Sequence, residues 1–203
     1  MRFVTSVLLL GALALAGCAL PPEIPYASDD RVKSLAWRAP GPPTLTVFTM
    51  VNNRTGKGQH TALMINGSQR VIFDPAGSFV NARVAEQEDV LYGVTPAVLA
   101  GYKSAHARNS HHVLSQTVEV TPQQAETALA LAVSNGAVPR AYCTNATTGL
   151  LRQVPGFADV RQSFFPDSLR EDFAARADVR SEQYFEDDEG TIQDGIAALV
   201  IGE

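Results

Sequence analysis

Cys143, His60 and Asp74 of this 203-residue chain together supply the side-chain types that nucleophilic acyl-transfer enzymes use. In such enzymes a thiolate attacks a carbonyl carbon, an imidazole within hydrogen-bond reach carries the proton, and a further polar group holds the tautomer of that imidazole. Each residue also has a purely structural interpretation. A lone cysteine is more often a small buried apolar residue, a lone histidine is more often an ordinary surface or core residue, and an aspartate before Pro75 is commonly a turn residue. Only the joint arrangement favours an enzyme.

The segment around Cys143 is expected to begin a helix. Pro139 ends the element that precedes it, and small polar residues then lead into Leu150 and Leu151. A thiol at a helix N-terminus lies among unpaired backbone N–H groups at the positive end of the helix dipole. That environment lowers the pKa of the thiol and favours the thiolate, which is the nucleophile.

His60 and Asp74 lie on two strand-like runs of a predicted hairpin. The runs cover residues 60–65 and 70–74, with an Asn-Gly-Ser turn around Gly67 between them. Asn-Gly between two apolar runs favours a hairpin. A pairing centred on Gly67 places His60 opposite Asp74, because both lie seven residues from Gly67.

Further strands and helices surround these residues, and together they predict the fold class. Two Thr-Pro pairs mark helix starts, because threonine caps a helix N-terminus and proline fits the first helical position; Thr121 and Gln124 also match a capping box. The expected elements are strands over 45–51, 113–120 and 196–201, and helices over 95–105, 121–134 and 166–177, with residues 78–93 ambiguous. The predicted fold class is α+β: a small antiparallel sheet with the Cys143 helix on one face and the other helices around it.

The N-terminus has the pattern of an export signal. Arg2 supplies a positive charge, and the apolar run from Val7 to Leu15 is too short to remain as a membrane-spanning helix. The run leads into Leu-Ala-Gly-Cys18, which resembles the lipobox of bacterial lipoproteins. The resemblance implies cleavage before Cys18 and acylation of its thiol, so that the lipid bilayer becomes a partner; ordinary secretion with a coincidental cysteine is the alternative. Because Ala19 follows instead of aspartate, the resemblance implies the outer membrane, facing the periplasm.

Cleavage would leave 203 − 17 = 186 residues, enough for one domain with its own core. Residues 18–43 contain half of the twelve prolines and are predicted to form a tether, whose Trp37 and Leu35 are expected to dock on the domain. Residues 44–203 are predicted to form that single domain. The formal charge of −5 without a Lys/Arg block argues against nucleic-acid binding. Because the chain has two cysteines, lipidation of Cys18 leaves Cys143 without an intrachain disulfide partner. Such a thiol in an oxidising compartment is buried and inert, pairs between chains, or is kept for chemistry.

The order histidine, acid, cysteine resembles the circularly permuted branch of the NlpC/P60 papain-like superfamily, which includes lecithin:retinol acyltransferase-like proteins. In that group a histidine opens a strand in a Gly-x-His-apolar context, here Gly58-Gln59-His60-Thr61-Ala62-Leu63. The third polar residue lies on the next strand, here Asp74, and the cysteine opens a helix, here in Tyr142-Cys143-Thr144-Asn145. The resemblance covers roughly residues 44–155. Asp74 departs from the histidine or glutamate often found third, and the tail after Val154 has no counterpart.

The resemblance implies a cysteine hydrolase that needs no cofactor, with Cys143 as nucleophile, His60 as base and Asp74 as the residue that orients His60. Together with the compartment, it makes an amide bond in peptidoglycan peptides the first substrate to consider. Lipid acyl transfer or another amidase reaction on the same fold is one alternative. A non-catalytic envelope lipoprotein that only binds a partner is another, and convergence of the three side chains in an open cleft would favour the enzyme.

Three further histidines raise the question of a metal site. His106, His111 and His112 fit no standard zinc spacing, and their flanks predict an exposed loop. We therefore expect no metal site there.

Overall fold

The computed structural model describes residues 25–77 and 79–199, so the predicted signal peptide and Cys18 lie outside the described residues. The strands are β1 (Thr44–Asn52), β2 (Gly58–Asn66), β3 (Arg70–Phe73), β4 (Ala85–Gln87), β5 (Val90–Tyr92), β6 (His111–Glu119) and β7 (Arg180–Tyr184). The helices are α1 (Asp29–Ser34), α2 (Pro96–His106), α3 (Pro122–Val133), α4 (Cys143–Leu151), α5 (Pro166–Ala174) and α6 (Ile192–Ala198). The strands form one antiparallel sheet in the order β4-β5-β3-β2-β1-β6-β7. The predicted α+β class is confirmed.

The sheet is covered on both faces, and β1 lies at its centre between β2 and β6. Side chains of alternate residues point to opposite faces of a strand. Leu45 and Val47 accordingly pack into one core with α3, α4 and α5, while Phe48 and Met50 pack into a second core with α2 and α6. Because helices cover both faces of the sheet, all seven interior residues of β1 are buried.

Helix starts follow the signals expected from the sequence. The Thr95 hydroxyl accepts a hydrogen bond from the Val98 N–H, 3.3 Å away, at the start of α2. At the start of α3, Thr121 and Gln124 form both bonds of a capping box. Helix α4 begins at Cys143 itself, as predicted, and no side chain caps its first turn. The backbone N–H groups at the start of α4 therefore remain available beside the thiol.

The hairpin of β2 and β3 forms, but its predicted register is wrong. Leu63 pairs with Phe73 and Asn66 pairs with Arg70, so that the pairing is centred one residue beyond Gly67. The partner of each residue is therefore displaced by two positions. Because side chains alternate with a period of two, this displacement keeps every side chain on its predicted face.

Over its described residues 196–199 the predicted last strand is also wrong, and residues 200–201 lie outside the described residues. Residues up to Ala198 belong to α6, which begins with a capping box between Thr191 and Asp194. Ile192 and Ile196, one helical turn apart, pack against the core under α2. The apolar run therefore serves as one face of an amphipathic helix.

The described part of the predicted tether, residues 25–43, packs against the domain and includes α1. The Trp37 carbonyl accepts a hydrogen bond from the Arg70 N–H, and the Arg70 guanidinium lies 4.3 Å from the centre of the Trp37 ring. Leu35 packs against the first core. The expectation that Trp37 and Leu35 dock onto the domain is confirmed. Within the described ranges, none of the helices has the length and apolar character needed to cross a bilayer.

Candidate active site

His60 and Asp74 form a close pair on the face of the sheet that carries α2. His60 Nε2 lies 2.6 Å from Asp74 Oδ1. A β-bulge precedes His60: Met50 pairs with His60 and Val51 with Gly58, which leaves Gln59 as the extra residue. Bulges of this kind redirect neighbouring side chains and are common beside active sites.

Asp74 is held as a buried carboxylate. Only 3% of its side chain is exposed, and its Oδ1 also accepts a hydrogen bond from the Tyr102 hydroxyl at 3.1 Å. Burial alone would raise the pKa of Asp74, but the positive charge and hydrogen bond of His60, assisted by the Tyr102 hydroxyl, lower it below its usual value. Gly77 permits this arrangement, because a side-chain carbon there would collide with the Asp74 carboxylate.

His60 carries a positive charge at neutral pH in this environment. Burial lowers its pKa, but the charge of Asp74, the hydrogen bond to Asp74 and the contact with Cys143 together raise the pKa of His60 to about 10. About a fifth of its side chain is exposed. The imidazolium is thus accessible on one side and anchored by a carboxylate on the other.

Cys143 is a free cysteine at the first position of α4 and is 8% exposed. Burial raises the pKa of its thiol, but the hydrogen bond and charge of His60, the Thr61 N–H and the Thr144 hydroxyl lower the pKa of Cys143 to about 7. Thr144 Oγ1 also lies 3.3 Å from Thr61 Oγ1, and this contact fastens the start of α4 to β2. The structure therefore brings all three sequence-predicted residues together, with His60 bonded to Asp74 and next to the Cys143 thiol.

His106, which the sequence analysis misplaced, is a neighbour of these three residues. It is the last residue of α2 and is buried, so its assignment to an exposed loop is wrong. Its Nδ1 donates to the Tyr102 carbonyl at 2.8 Å, and its ring is parallel to that of His60, with 6.3 Å between ring centres. Burial lowers the pKa of His106 to about 4, so the ring is neutral at pH 7. His111 and His112 also lie outside a loop, because they open β6.

One feature of the sequence could have indicated that Tyr102 and His106 lie near the site. They are four residues apart on a helix whose start the Thr-Pro pair marks, so they share a helix face. A tyrosine and a histidine on the buried face of a helix are polar groups that require partners. That requirement points to a polar site beneath α2.

An open cleft of about 460 Å³ lies against the exposed side of His60. His106, Arg108 and His111 also line it, but Cys143 does not. The cleft therefore adjoins His60 without including the Cys143 thiol among its lining residues.

The C-terminal part of the chain supplies one wall of this cleft through Gly190, Thr191 and Ile192. Arg108 holds this wall in place, because its Nη1 lies 3.2 Å from both Glu186 Oε2 and Asp188 Oδ2. The segment beyond residue 155, which the family resemblance does not cover, therefore helps to shape the cleft.

Aromatic side chains lie exposed beside the start of α4. Tyr142, which directly precedes Cys143, makes an edge-to-face contact with Phe164 at 5.1 Å between ring centres. About half of each side chain is exposed, and the neighbouring Phe165 is exposed further. The cleft beside His60 and these rings thus provide two different surfaces near the thiol.

Among the described residues, no group of three or more histidine, cysteine, aspartate or glutamate side chains has the geometry to hold a metal ion. Comparisons with known proteins found no matching family model, curated protein or solved structure.

Proposed function

We propose that this protein is a thiol-dependent hydrolase that cleaves an amide bond through an acyl-enzyme on Cys143. The observation that supports it is the proximity of three groups. The Cys143 thiol, whose pKa is lowered, lies at a helix start next to His60, and the buried Asp74 carboxylate holds His60. A merely structural cysteine has no need of such partners. Perturbed ionisable groups beside a cleft are typical of catalytic sites.

In the first half of the reaction, the Cys143 thiolate attacks the amide carbonyl carbon and a C–S bond forms. The electron pair of the C=O bond moves to oxygen, and the Cys143 N–H at the uncapped start of α4 would donate a hydrogen bond to that oxyanion. The His60 imidazolium then gives its proton to the amide nitrogen. The C–N bond breaks, the amine departs, and a thioester remains.

In the second half, neutral His60 takes a proton from water and the resulting hydroxide attacks the thioester carbonyl. Collapse of the resulting tetrahedral intermediate breaks the C–S bond and releases the carboxylic acid, while the thiolate–imidazolium pair is restored. Asp74 keeps the imidazole oriented and stabilises its charge at both stages. Tyr102 fixes Asp74 in turn through its hydroxyl.

The expected substrate is an amide bond in peptidoglycan peptides, which follows from the family resemblance and the predicted envelope location. The cleft next to His60 would hold the side of the substrate that receives the proton, which is the leaving amine. Its volume of about 460 Å³ can accommodate a few residues of a peptide but no folded domain.

Purified protein incubated with isolated peptidoglycan peptides, followed by mass spectrometry, tests this function. We expect new amine and carboxylate products whose summed mass equals that of the substrate plus one water. Protein alkylated at Cys143 beforehand serves as the control. If equal amounts of product arise from alkylated and free protein, the thiol mechanism is wrong.

Acyl transfer is a second candidate, favoured by the exposed rings of Tyr142, Phe164 and Phe165 beside the nucleophile. Exposed aromatic groups at a site can bind the apolar part of a substrate. In that reaction the same thioester would be attacked by an alcohol or amine instead of water. The mass balance in the same experiment separates the two reactions, because transfer adds no water.

The proposed location predicts the effect of Cys18→Ser. Without the thiol of Cys18 the chain cannot receive a lipid, and two or more acyl chains are what make membrane anchoring stable. We expect the variant to move from the detergent-rich phase to the aqueous phase after detergent phase separation, while wild type remains in the detergent-rich phase. Partition of the variant like wild type would contradict the lipoprotein proposal.

A further inference from the structure

The turn between β4 and β5 consists of Glu88 and Asp89, and both residues have left-handed backbone conformations, with φ of 46° and 66°. A two-residue hairpin turn of this shape normally contains Asn-Gly, because left-handed conformations are unfavourable for other side chains. Glu-Asp is therefore an unusual choice. Strained conformations outside glycine concentrate at functional sites, where the surrounding structure maintains them.

Two other strained residues lie in the loops that carry the proposed catalytic groups. Ala76, with φ of 55°, follows Asp74 by two positions, and Ala141, with φ of 69°, precedes Cys143 by two positions. Four of the five described non-glycine residues with positive φ thus lie in the acid loop (residues 74–77), the nucleophile loop (residues 134–142) and the turn at Asp89; the fifth, Asp178, lies outside them.

Asp89 is bonded to both of those loops. Its carbonyl oxygen accepts a hydrogen bond from the Asp74 N–H at 2.8 Å. Its Oδ2 accepts from the Ala76 N–H at 3.0 Å and from the Val138 N–H at 2.8 Å. One carboxylate oxygen therefore bridges the acid loop and the nucleophile loop, although these two loops are far apart in the sequence.

We propose that Asp89 is a positioning residue that sets the distance between the acid loop and the nucleophile loop. It does not touch the reacting atoms, and it acts through the backbone at Asp74, Ala76 and Val138. Hydrogen bonds from backbone N–H groups to a carboxylate are stronger than those between neutral groups, which suits this task. The catalytic consequence rests on the proposed function, whereas the effect on the thiol does not.

The test compares Asp89→Gly with Glu88→Gly. Both substitutions place glycine at a left-handed position of the same turn, but only Asp89→Gly removes the bridging carboxylate. We expect Asp89→Gly to move the midpoint of Cys143 alkylation by iodoacetamide upward by at least about half a pH unit, because looser loops weaken the contact with His60. Turnover should fall about tenfold or more, since small displacements of catalytic groups reduce rates strongly. Glu88→Gly should leave both unchanged.

Asp89→Asn adds a graded variant, because its amide oxygen still accepts hydrogen bonds and asparagine tolerates the left-handed conformation. We expect a smaller shift in the same direction. If Asp89→Gly is folded and its alkylation profile equals that of wild type, Asp89 is only a turn residue, even if its melting temperature is lower. If Asp89→Gly does not fold, Asp89→Asn decides, and an unchanged profile in that variant overturns the proposal. A shifted profile in protein that hydrolyses no substrate would count against the proposed function alone.

Discussion

Cys143→Ala is expected to lose at least about 10³-fold of its turnover on peptidoglycan peptides while keeping its fold, since removal of a nucleophile leaves only binding and oxyanion stabilisation. His60→Ala should lose a similar amount. The double variant should cost little more than either single one, because residues that act as one unit are not additive. Asp74→Asn should be milder, because an amide oxygen can still accept a hydrogen bond from the imidazole while the negative charge is lost. Product formation by mass spectrometry and thermal melts of each variant provide the measurement.

His112→Ala is the matched control for His60→Ala. His112 opens β6, is partly exposed, and stacks on Phe185 away from the proposed catalytic groups. We expect wild-type turnover from this variant. Full activity in Cys143→Ala, or a loss of activity that follows unfolding in every variant, would make the three residues structural and favour a binding protein.

The second large effect concerns the pH at which Cys143 reacts with iodoacetamide. Its pKa of about 7 means that the thiolate persists to lower pH than in an ordinary thiol. His60→Ala removes the hydrogen bond and charge that lower this pKa, so the alkylation midpoint should rise to the ordinary value of about 8.5 or above. At pH 6 the thiolate fraction then falls about 30-fold. Because a thiolate of higher pKa is the better nucleophile, the alkylation rate should fall about five- to tenfold.

His112→Ala again supplies the control and should reproduce the wild-type profile, since its ring does not contact the thiol. The quantity to measure is the second-order rate constant of alkylation at pH values from 5 to 9, determined by mass spectrometry of the intact protein. A Cys143 that reacts only after denaturation would mean that its 8% exposure is too little for any substrate to reach it.

Local signals in the sequence predicted most of the elements that position the site. Thr95 and Thr121 mark their helices through bonds that involve only neighbouring residues. The start of α4 at Cys143 and the hairpin that carries His60 were likewise predictable, because a proline and an Asn-Gly pair act within a few residues. The hairpin register was not, since a three-residue loop can consist of residues 66–68 or of residues 67–69, and only pairing across the strands decides between them.

The polar surroundings of the site were largely hidden from the sequence. Tyr102 and Asp89 act on Asp74 across 28 and 15 positions of the chain, and nothing in the local pattern indicates such contacts. The short strands β4 and β5 lie in the stretch that was ambiguous, because three-residue strands show too little alternation to recognise. Strand β7 went unpredicted for a different reason: its five residues are almost all exposed, so it shows no alternation of buried and exposed positions.

The central position of β1 has a consequence for how the chain acquires its structure. Its partner β2 follows after a short turn, but its other partner β6 begins about 60 residues later, and Thr46 bonds to Thr117 across 71 positions. One edge of β1 therefore stays unpaired until more than half of the chain is present, and closure of such long-range pairs is slow. Until then the nascent sheet presents an open, apolar edge that favours association with other chains. Cys143 follows later still, so β1 has both of its partners before the proposed catalytic groups can assemble, and only the edge strand β7 comes after Cys143 in the chain.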